Sequence, residues 1–156
     1  MKLSSKGRYA VMALADLASF DPKEPVSLRD ISLRQGISLV YLEQLFLKLK
    51  KNKIVNSVRG NKGGYILNRN ASEIKIADVL FAVEEKVKTI GCEKHSKKAC
   101  NGKNTKCITH NLWDELENYI NDFFEKKNLS DLINRKENRF RAANANSSQE
   151  SLSGID

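Results

Sequence analysis

The 156-residue sequence contains no run of 18 or more apolar residues, so no segment of it is written as a membrane-spanning helix. Its first residues, Met1-Lys2-Leu3-Ser4-Ser5-Lys6-Gly7-Arg8, lead into an amphipathic segment that Asp16 interrupts. Neither the unbroken apolar stretch nor the small-residue cleavage site of a secretion signal is present, and a cytoplasmic protein without a membrane partner is expected. Cysteine is scarce. There are three, an odd number, and in a reducing compartment they are a poor basis for a disulfide framework. Histidine is scarcer still: neither of the two has a Ser, Cys or Asp partner in a triad pattern. Glu84-Glu85 is an adjacent acidic pair, expected on a helix where its members diverge and form no catalytic pair. An enzyme is therefore not expected, and no internal repeat is evident.

Basic excess is missing from one half of the chain and concentrated in the other. Residues 1–70 carry 13 Lys/Arg against 5 Asp/Glu, whereas residues 71–156 carry 14 of each. The whole formal charge of +8 thus lies in the first half. Such a bias fits a solvated basic face or a surface that attracts phosphates.

The first half reads as a helix-turn-helix with a wing. Ser4 and Ser5 can cap a helix to about Ser19 that is apolar nearly all round and so largely buried. Ser27-Leu28-Arg29-Asp30 has the form of a capping box before a short helix ending at Gly36. Ser38 then caps a second helix over about 39–51, whose core stripe is Leu42, Leu45, Phe46 and Leu49. Opposite that stripe lie Val40, Gln44, Leu47 and Lys51, with Tyr41, Glu43 and Lys48 flanking. Val40 suits a thymine methyl, Gln44 the N6 and N7 of adenine, and Glu43 the N4 of cytosine. Against this, Leu47 can pack on a neighbouring helix and Glu43 can be a solvated charge. Lys48, Lys50, Lys51 and Lys53 suit phosphates. Strands over 54–59 and 65–67 enclose Gly60-Asn61-Lys62-Gly63-Gly64 and form the wing, with Arg59 at its tip for a narrow minor groove. This loop joins two strands and lacks the Lys-Ser/Thr ending of a nucleotide-binding loop.

The second half holds every soft-metal ligand of the chain between residues 92 and 110. The spacing is C-x7-C-x6-C-x2-H over Cys92, Cys100, Cys107 and His110, with His95 inside the first interval. Few large apolar side chains lie between these residues, so a conventional core cannot organise the segment. Four such ligands suit a 2Fe–2S cluster or a structural zinc, and spacing alone leaves the two equal. The fourth ligand is His110 or His95. His110 is favoured because it follows Cys107 by three residues at a helix start, where one turn presents both to one centre. Seven lysines in 86–107, against one Glu, would offset an anionic thiolate centre. After a short helix with Ile76, Val79, Leu80 and Val83 and this loop, a long helix over about 108–127 carries the stripe Leu112, Leu116, Tyr119, Ile120, Phe123 and Phe124, flanked by Trp113. That is more apolar surface than a small neighbouring domain covers, and pairing with its own copy is the natural solution. Asn128 can end the helix; Leu129, Leu132 and Ile133 suggest a short last one.

Several stretches together resemble the IscR family of iron–sulfur cluster regulators, which are bacterial winged-helix transcription factors. They are Leu3-Ser4-Ser5-Lys6-Gly7-Arg8-Tyr9-Ala10-Val11, Asp30-Ile31-Ser32, Gln35-Gly36-Ile37-Ser38, Tyr41-Leu42-Glu43-Gln44-Leu45-Phe46 and the wing Ser57-Val58-Arg59-Gly60 to Gly63-Gly64-Tyr65. The resemblance covers roughly residues 1–135. It implies a homodimer that binds double-stranded DNA, represses or activates, and carries a 2Fe–2S cluster on Cys92, Cys100, Cys107 and His110, supplied by the iron–sulfur assembly machinery. Val40 departs from the small polar residue common at that place in close relatives, which bears on preference at one base position. The fold expected is mostly α with a small β-wing: a winged helix-turn-helix over 1–85, a cluster-binding loop over 86–107, a dimerisation helix and short C-terminal helix over 108–136, and a disordered tail over 137–156. DNA contacts are expected from Ser38, Val40, Tyr41, Glu43, Gln44, Lys48 and Lys51 on the second helix, and from Ser57, Arg59, Gly60 and Lys62 in the wing. The function expected is an operator-binding regulator tuned by the cluster and controlling iron–sulfur biogenesis genes. The alternatives are a winged-helix regulator with structural zinc, or an iron–sulfur carrier or scaffold.

Overall fold

A computed structural model describes residues 3–88 and 106–134. In chain order it contains α1 (Ser5–Ala18), α2 (Leu28–Gln35), α3 (Leu39–Lys51), β1 (Val55–Val58), β2 (Gly64–Leu67), a 3-10 turn (Ala71–Glu73), α4 (Ile76–Ala82), α5 (His110–Lys126) and a final helix, α6, over 129–134. The architecture is mostly helical with a two-stranded antiparallel wing, as expected. The tail over 137–156 and most of the loop over 86–107 lie outside the described residues. No described helix is long and apolar enough to cross a membrane.

Local signals set the helix-turn-helix. Ser27 Oγ accepts the Asp30 N–H at 3.1 Å and donates to the Asp30 carboxylate at 2.7 Å, which fixes the first turn of α2. Gly36 ends α2 in the left-handed region at φ +65°, its N–H bonded to Ser32 O. Two residues later Ser38 opens α3, and the stripe Leu42, Leu45, Phe46 and Leu49 is buried as periodicity requires. α1, α2, α3 and α4 close around one core with Phe46, Leu14 and Ile31 at its centre.

The wing pairs Val55 with Leu67 and Val58 with Gly64. Val26 extends it, exchanging both backbone bonds with Tyr65 at 3.0 and 2.8 Å. A Cβ on Gly64 would stand 2.4 Å from Val26 O, so this approach is open to glycine alone. The Phe46 and Tyr65 rings meet edge to face at 4.9 Å and hold the wing against α3.

Four local readings are corrected. α1 is not buried nearly all round: Val11, Met12 and Ala15 line an apolar groove of about 380 Å³ shared with Phe123, Phe124 and Leu132. Asp16, which looked like a break in the apolar pattern, is itself buried. It accepts from Arg34 Nη2 at 2.7 Å and from Gln35 Nε2, and so ties α1 to α2. Glu84 and Glu85 are not on a helix, because α4 ends at Ala82 and Glu84 takes φ +58°. Asn128 does not end α5, which runs to Lys126 with Lys127 as its C-cap, but opens the next helix. Its side chain accepts the Asp131 N–H at 3.1 Å while the Asp131 carboxylate accepts the Asn128 N–H at 3.0 Å, a reciprocal cap for α6. Leu129 then enters the main core, and Asn128 pairs with Lys75 as an isolated bridge.

Candidate nucleic-acid interface and ligand segment

α3 offers one face to the core and the other to solvent. Ser38, Val40, Glu43, Gln44, Leu47 and Lys51 are all exposed on the outer side. Tyr41 is half-buried with its ring edge-on to Tyr9 at 5.9 Å. The wing stands beside this helix: Lys50 Nζ donates to Ser57 Oγ at 2.6 Å, and Arg59, Gly60 and Lys62 are exposed in the turn between the strands. The two groups of expected DNA contacts therefore belong to adjoining elements of one surface. Its cations are Lys50, Lys51 and Lys53 around the end of α3 and Arg59 and Lys62 in the wing.

Lys48 has a partner that sequence reasoning missed. Its Nζ lies 2.6 Å from Glu84 Oε2, and this bond and charge hold the Glu84 carboxyl below its usual range. Glu85 points the other way, to the start of α1. Its carboxylate accepts the N–H of Ser4 at 3.1 Å and of Gly7 at 3.2 Å, together with the Ser4 hydroxyl. Ser4 itself makes no side-chain cap. Burial pushes the Glu85 carboxyl up, but the bonds from Ser4 and Gly7 outweigh it and leave it lowered. A carboxylate at a helix N-terminus satisfies orphan N–H groups and complements the dipole. Gly7 permits the approach, since a Cβ there would lie 2.9 Å from both Glu85 Cγ and Leu80 Cδ2. The two glutamates thus fix the chain leaving α4 to α3 on one side and to α1 on the other.

Of the ligand set, Cys107 and His110 are described, while Cys92, Cys100 and His95 lie outside the described residues. The His110 N–H donates to Cys107 O at 3.0 Å, which closes one turn and places both residues at the head of α5. Thr109 Oγ1 lies 3.7 Å from Cys107 Sγ and accepts from Trp113 Nε1 at 3.2 Å. The Cys107 thiol is half-buried. Among the described residues no group of three or more possible ligands gathers. The donor chemistry, thiolate and imidazole on one turn, fits half of a four-ligand iron–sulfur or zinc site.

α5 is amphipathic, yet none of its residues is buried. Leu112, Leu116, Tyr119 and Phe123 are between 41% and 68% exposed. Their 4-3-4 spacing makes a seam along one side of the helix. Phe124, on the adjoining side, packs against the core.

Residues 3–135 match the Rrf2 family, described as an iron-dependent transcriptional regulator. The HTH-type transcriptional regulator IscR of Photorhabdus laumondii is 50% identical over 137 residues, which cover 88% of this chain and 82% of that protein. The protein of the same name from Pectobacterium atrosepticum is also 50% identical over the same extents. Among solved structures, T. potens IscR superposes with a TM-score of 0.71 at 34% identity, covering 89% of this chain and 90% of the other. CymR, the global cysteine regulator of B. subtilis, gives 0.72 at 26% identity, with 86% and 98% covered.

Proposed function

The chain belongs to the Rrf2 family of transcriptional regulators, and on that footing we propose a cytoplasmic homodimer whose operator binding is tuned by a 2Fe–2S cluster held on Cys92, Cys100, Cys107 and His110. It is a DNA-binding regulator and not an enzyme. The observation that carries the proposal is the solvent face of α3 beside a basic wing, with two soft-metal ligands and an apolar seam of α5 that the described residues leave exposed following in the same chain.

The chain's own residues divide the work. Gln44 reads a base pair in the major groove, Glu43 sets a second preference, and Arg59 reaches the minor groove from the wing. Lys50, Lys51, Lys53 and Lys62 meet phosphates, while Ser38 and Tyr41 hold the start of α3 in register. Leu112, Leu116, Tyr119 and Phe123 pair with the same residues of a second copy across a two-fold axis. When bound, the cluster would supply a labile redox centre, and a histidine ligand would raise its potential. A cluster held by Cys107 and His110 at the head of α5 would fix where α5 begins and how two copies of it meet, and with that the spacing of the two reading heads. The coupling is linkage: a ligand that prefers one spacing favours the operators that fit it. The target genes are those of iron–sulfur cluster biogenesis, and the assembly machinery is the source of the cluster.

The test is an absorption spectrum of protein purified without oxygen, with iron, sulfide and zinc assayed on the same sample. Visible bands with about two irons and two sulfides per chain support the reading. A colourless protein with about one zinc per chain refutes the cluster and leaves a structural site. His110→Ala and His95→Ala, made separately, identify the fourth ligand. Binding to DNA that falls steeply with salt separates a regulator from an iron–sulfur carrier.

A further inference from the structure

The recognition helix carries two large apolar side chains that the fold leaves in water. Val40 and Leu47 are each 64% exposed, more than any other apolar residue of α3, whereas Leu42, Leu45, Phe46 and Leu49 are buried. Among the described residues Leu47 does not pack on a neighbouring helix, the alternative open in the sequence. The two residues are seven apart, so they lie on one side of the helix two turns apart, with exposed Gln44 between them.

Their surroundings identify what they face. Lys51 shares their side of α3, Lys50 and Lys53 lie nearby, and the wing next to the helix adds exposed Arg59 and Lys62. Glu43 lies beside both residues and the cations stand at the helix end and on the wing; an apolar pair so flanked does not suit another protein's apolar surface, because docking there would strip water from these charges with nothing to neutralise them. It suits the major groove, whose walls are phosphates and whose floor offers one apolar group, the C5 methyl of thymine. Resting on the reading of α3 as the DNA-reading helix, we infer that Val40 and Leu47 are specificity-determining residues, each packing on a thymine methyl on either side of the base pair read by Gln44. The dimensions agree. Seven residues span roughly 10.5 Å of helix axis at 1.5 Å per residue. That is about three base steps at 3.4 Å each along a strand. Each half-site then contains two thymines about three steps apart, and the helix distinguishes thymine from cytosine at both by apolar contact alone.

The test uses the full-length protein purified without oxygen. Duplexes it enriches from a random pool are remade with uracil replacing thymine at one position at a time, which removes the methyl and keeps every hydrogen bond of the pair. Burial of one such group corresponds to about fourfold in affinity. Two positions in each half-site should therefore weaken about fourfold on the change to uracil. Leu47→Ser abolishes the sensitivity at one position and Val40→Ser at the other, with thermal unfolding unchanged because both sites are exposed. Indifference to uracil everywhere, or sensitivities that survive both substitutions, overturns the inference and leaves DNA binding intact. A protein that enriches no duplex overturns this inference and the DNA-reading assignment beneath it together.

Discussion

Glu85→Gln is a sharp test of how the two ends of the DNA-binding half are joined. The carboxylate accepts three hydrogen bonds from the first turn of α1, two from backbone N–H groups and one from the Ser4 hydroxyl. Glutamine keeps the shape but removes the charge, and turns its NH2 toward groups that are themselves donors. A charged hydrogen bond contributes roughly 1.5–3 kcal/mol and a neutral one roughly 0.5–1.5. Discounted for a half-buried site that water reaches, Glu85→Gln should cost about 1–2 kcal/mol, and Glu85→Ala about 2–3. In urea, at fixed protein concentration, the first figure is a fall in midpoint of roughly 0.5–1 M with an unchanged slope near 2 kcal/mol per molar. The pH dependence carries a sign. The folded carboxyl is lowered, so its contribution is complete above the unfolded value near 4.3 and disappears as pH falls through the lower folded value. The gap between wild type and Glu85→Gln should therefore be full at pH 7 and close under acid. Gly7→Ala adds an internal control, because its methyl would displace the same carboxylate. It should be less damaging in a Glu85→Ala background than in wild type, with a coupling of about 1 kcal/mol. An unchanged midpoint for Glu85→Gln at pH 7, or a loss that persists undiminished at low pH, would refute the capping role.

Three further outcomes follow from the same contacts. Glu84→Gln releases Lys48, so DNA affinity should rise and the slope of log affinity against log salt should steepen by about one, read by fluorescence anisotropy across a salt series. An unchanged slope would mean that Lys48 meets no phosphate. Leu116→Glu puts a charge in the middle of the α5 seam and should turn a dimer into a monomer at micromolar concentration, as measured by sedimentation; a persisting dimer would move the interface elsewhere. Gln44→Ala should lose about 1–3 kcal/mol of discrimination at one base position and leave salt dependence unaltered. An even loss across all sequences would make Gln44 a backbone contact.

The helix-turn-helix was legible because its signals are local. Ser27, Gly36 and Ser38 act on groups within a few residues of themselves, and the α3 stripe is set by periodicity alone. The outer face of α3 followed from the same geometry. What could not be read depends on partners far along the chain. Asp16 is buried because Arg34 and Gln35 reach it from 18 and 19 residues away. Glu84 and Glu85 are good helix formers by propensity, yet the chain turns at Glu84 so that one carboxylate meets Lys48 and the other the start of α1. Nothing near them in sequence announces either partner. For the same reason composition counted Lys48 among the cations available to phosphate, although the fold gives it an acidic neighbour. α1 was apolar enough to look enclosed, yet Val11, Met12 and Ala15 line a groove shared with Phe123, Phe124 and Leu132.

The return of the chain after α5 has a mechanical consequence. Lys127 O accepts the Ile76 N–H at 2.8 Å, Leu129 N–H donates to Ile74 O at 3.0 Å, and the Leu129 side chain is enclosed by the core. The C-terminal end of α5 is thus a fulcrum riveted to the body that carries α3 and the wing. Cys107 and His110 are at the opposite end, roughly 25 Å away along a 17-residue helix. Over such an arm a displacement of about 2 Å at the ligand end is a rotation of only about 5°. In the proposed dimer the same arm would present the seam to a second copy, so that small rotation would be delivered as a change of stance between two bodies and not as a distortion within either.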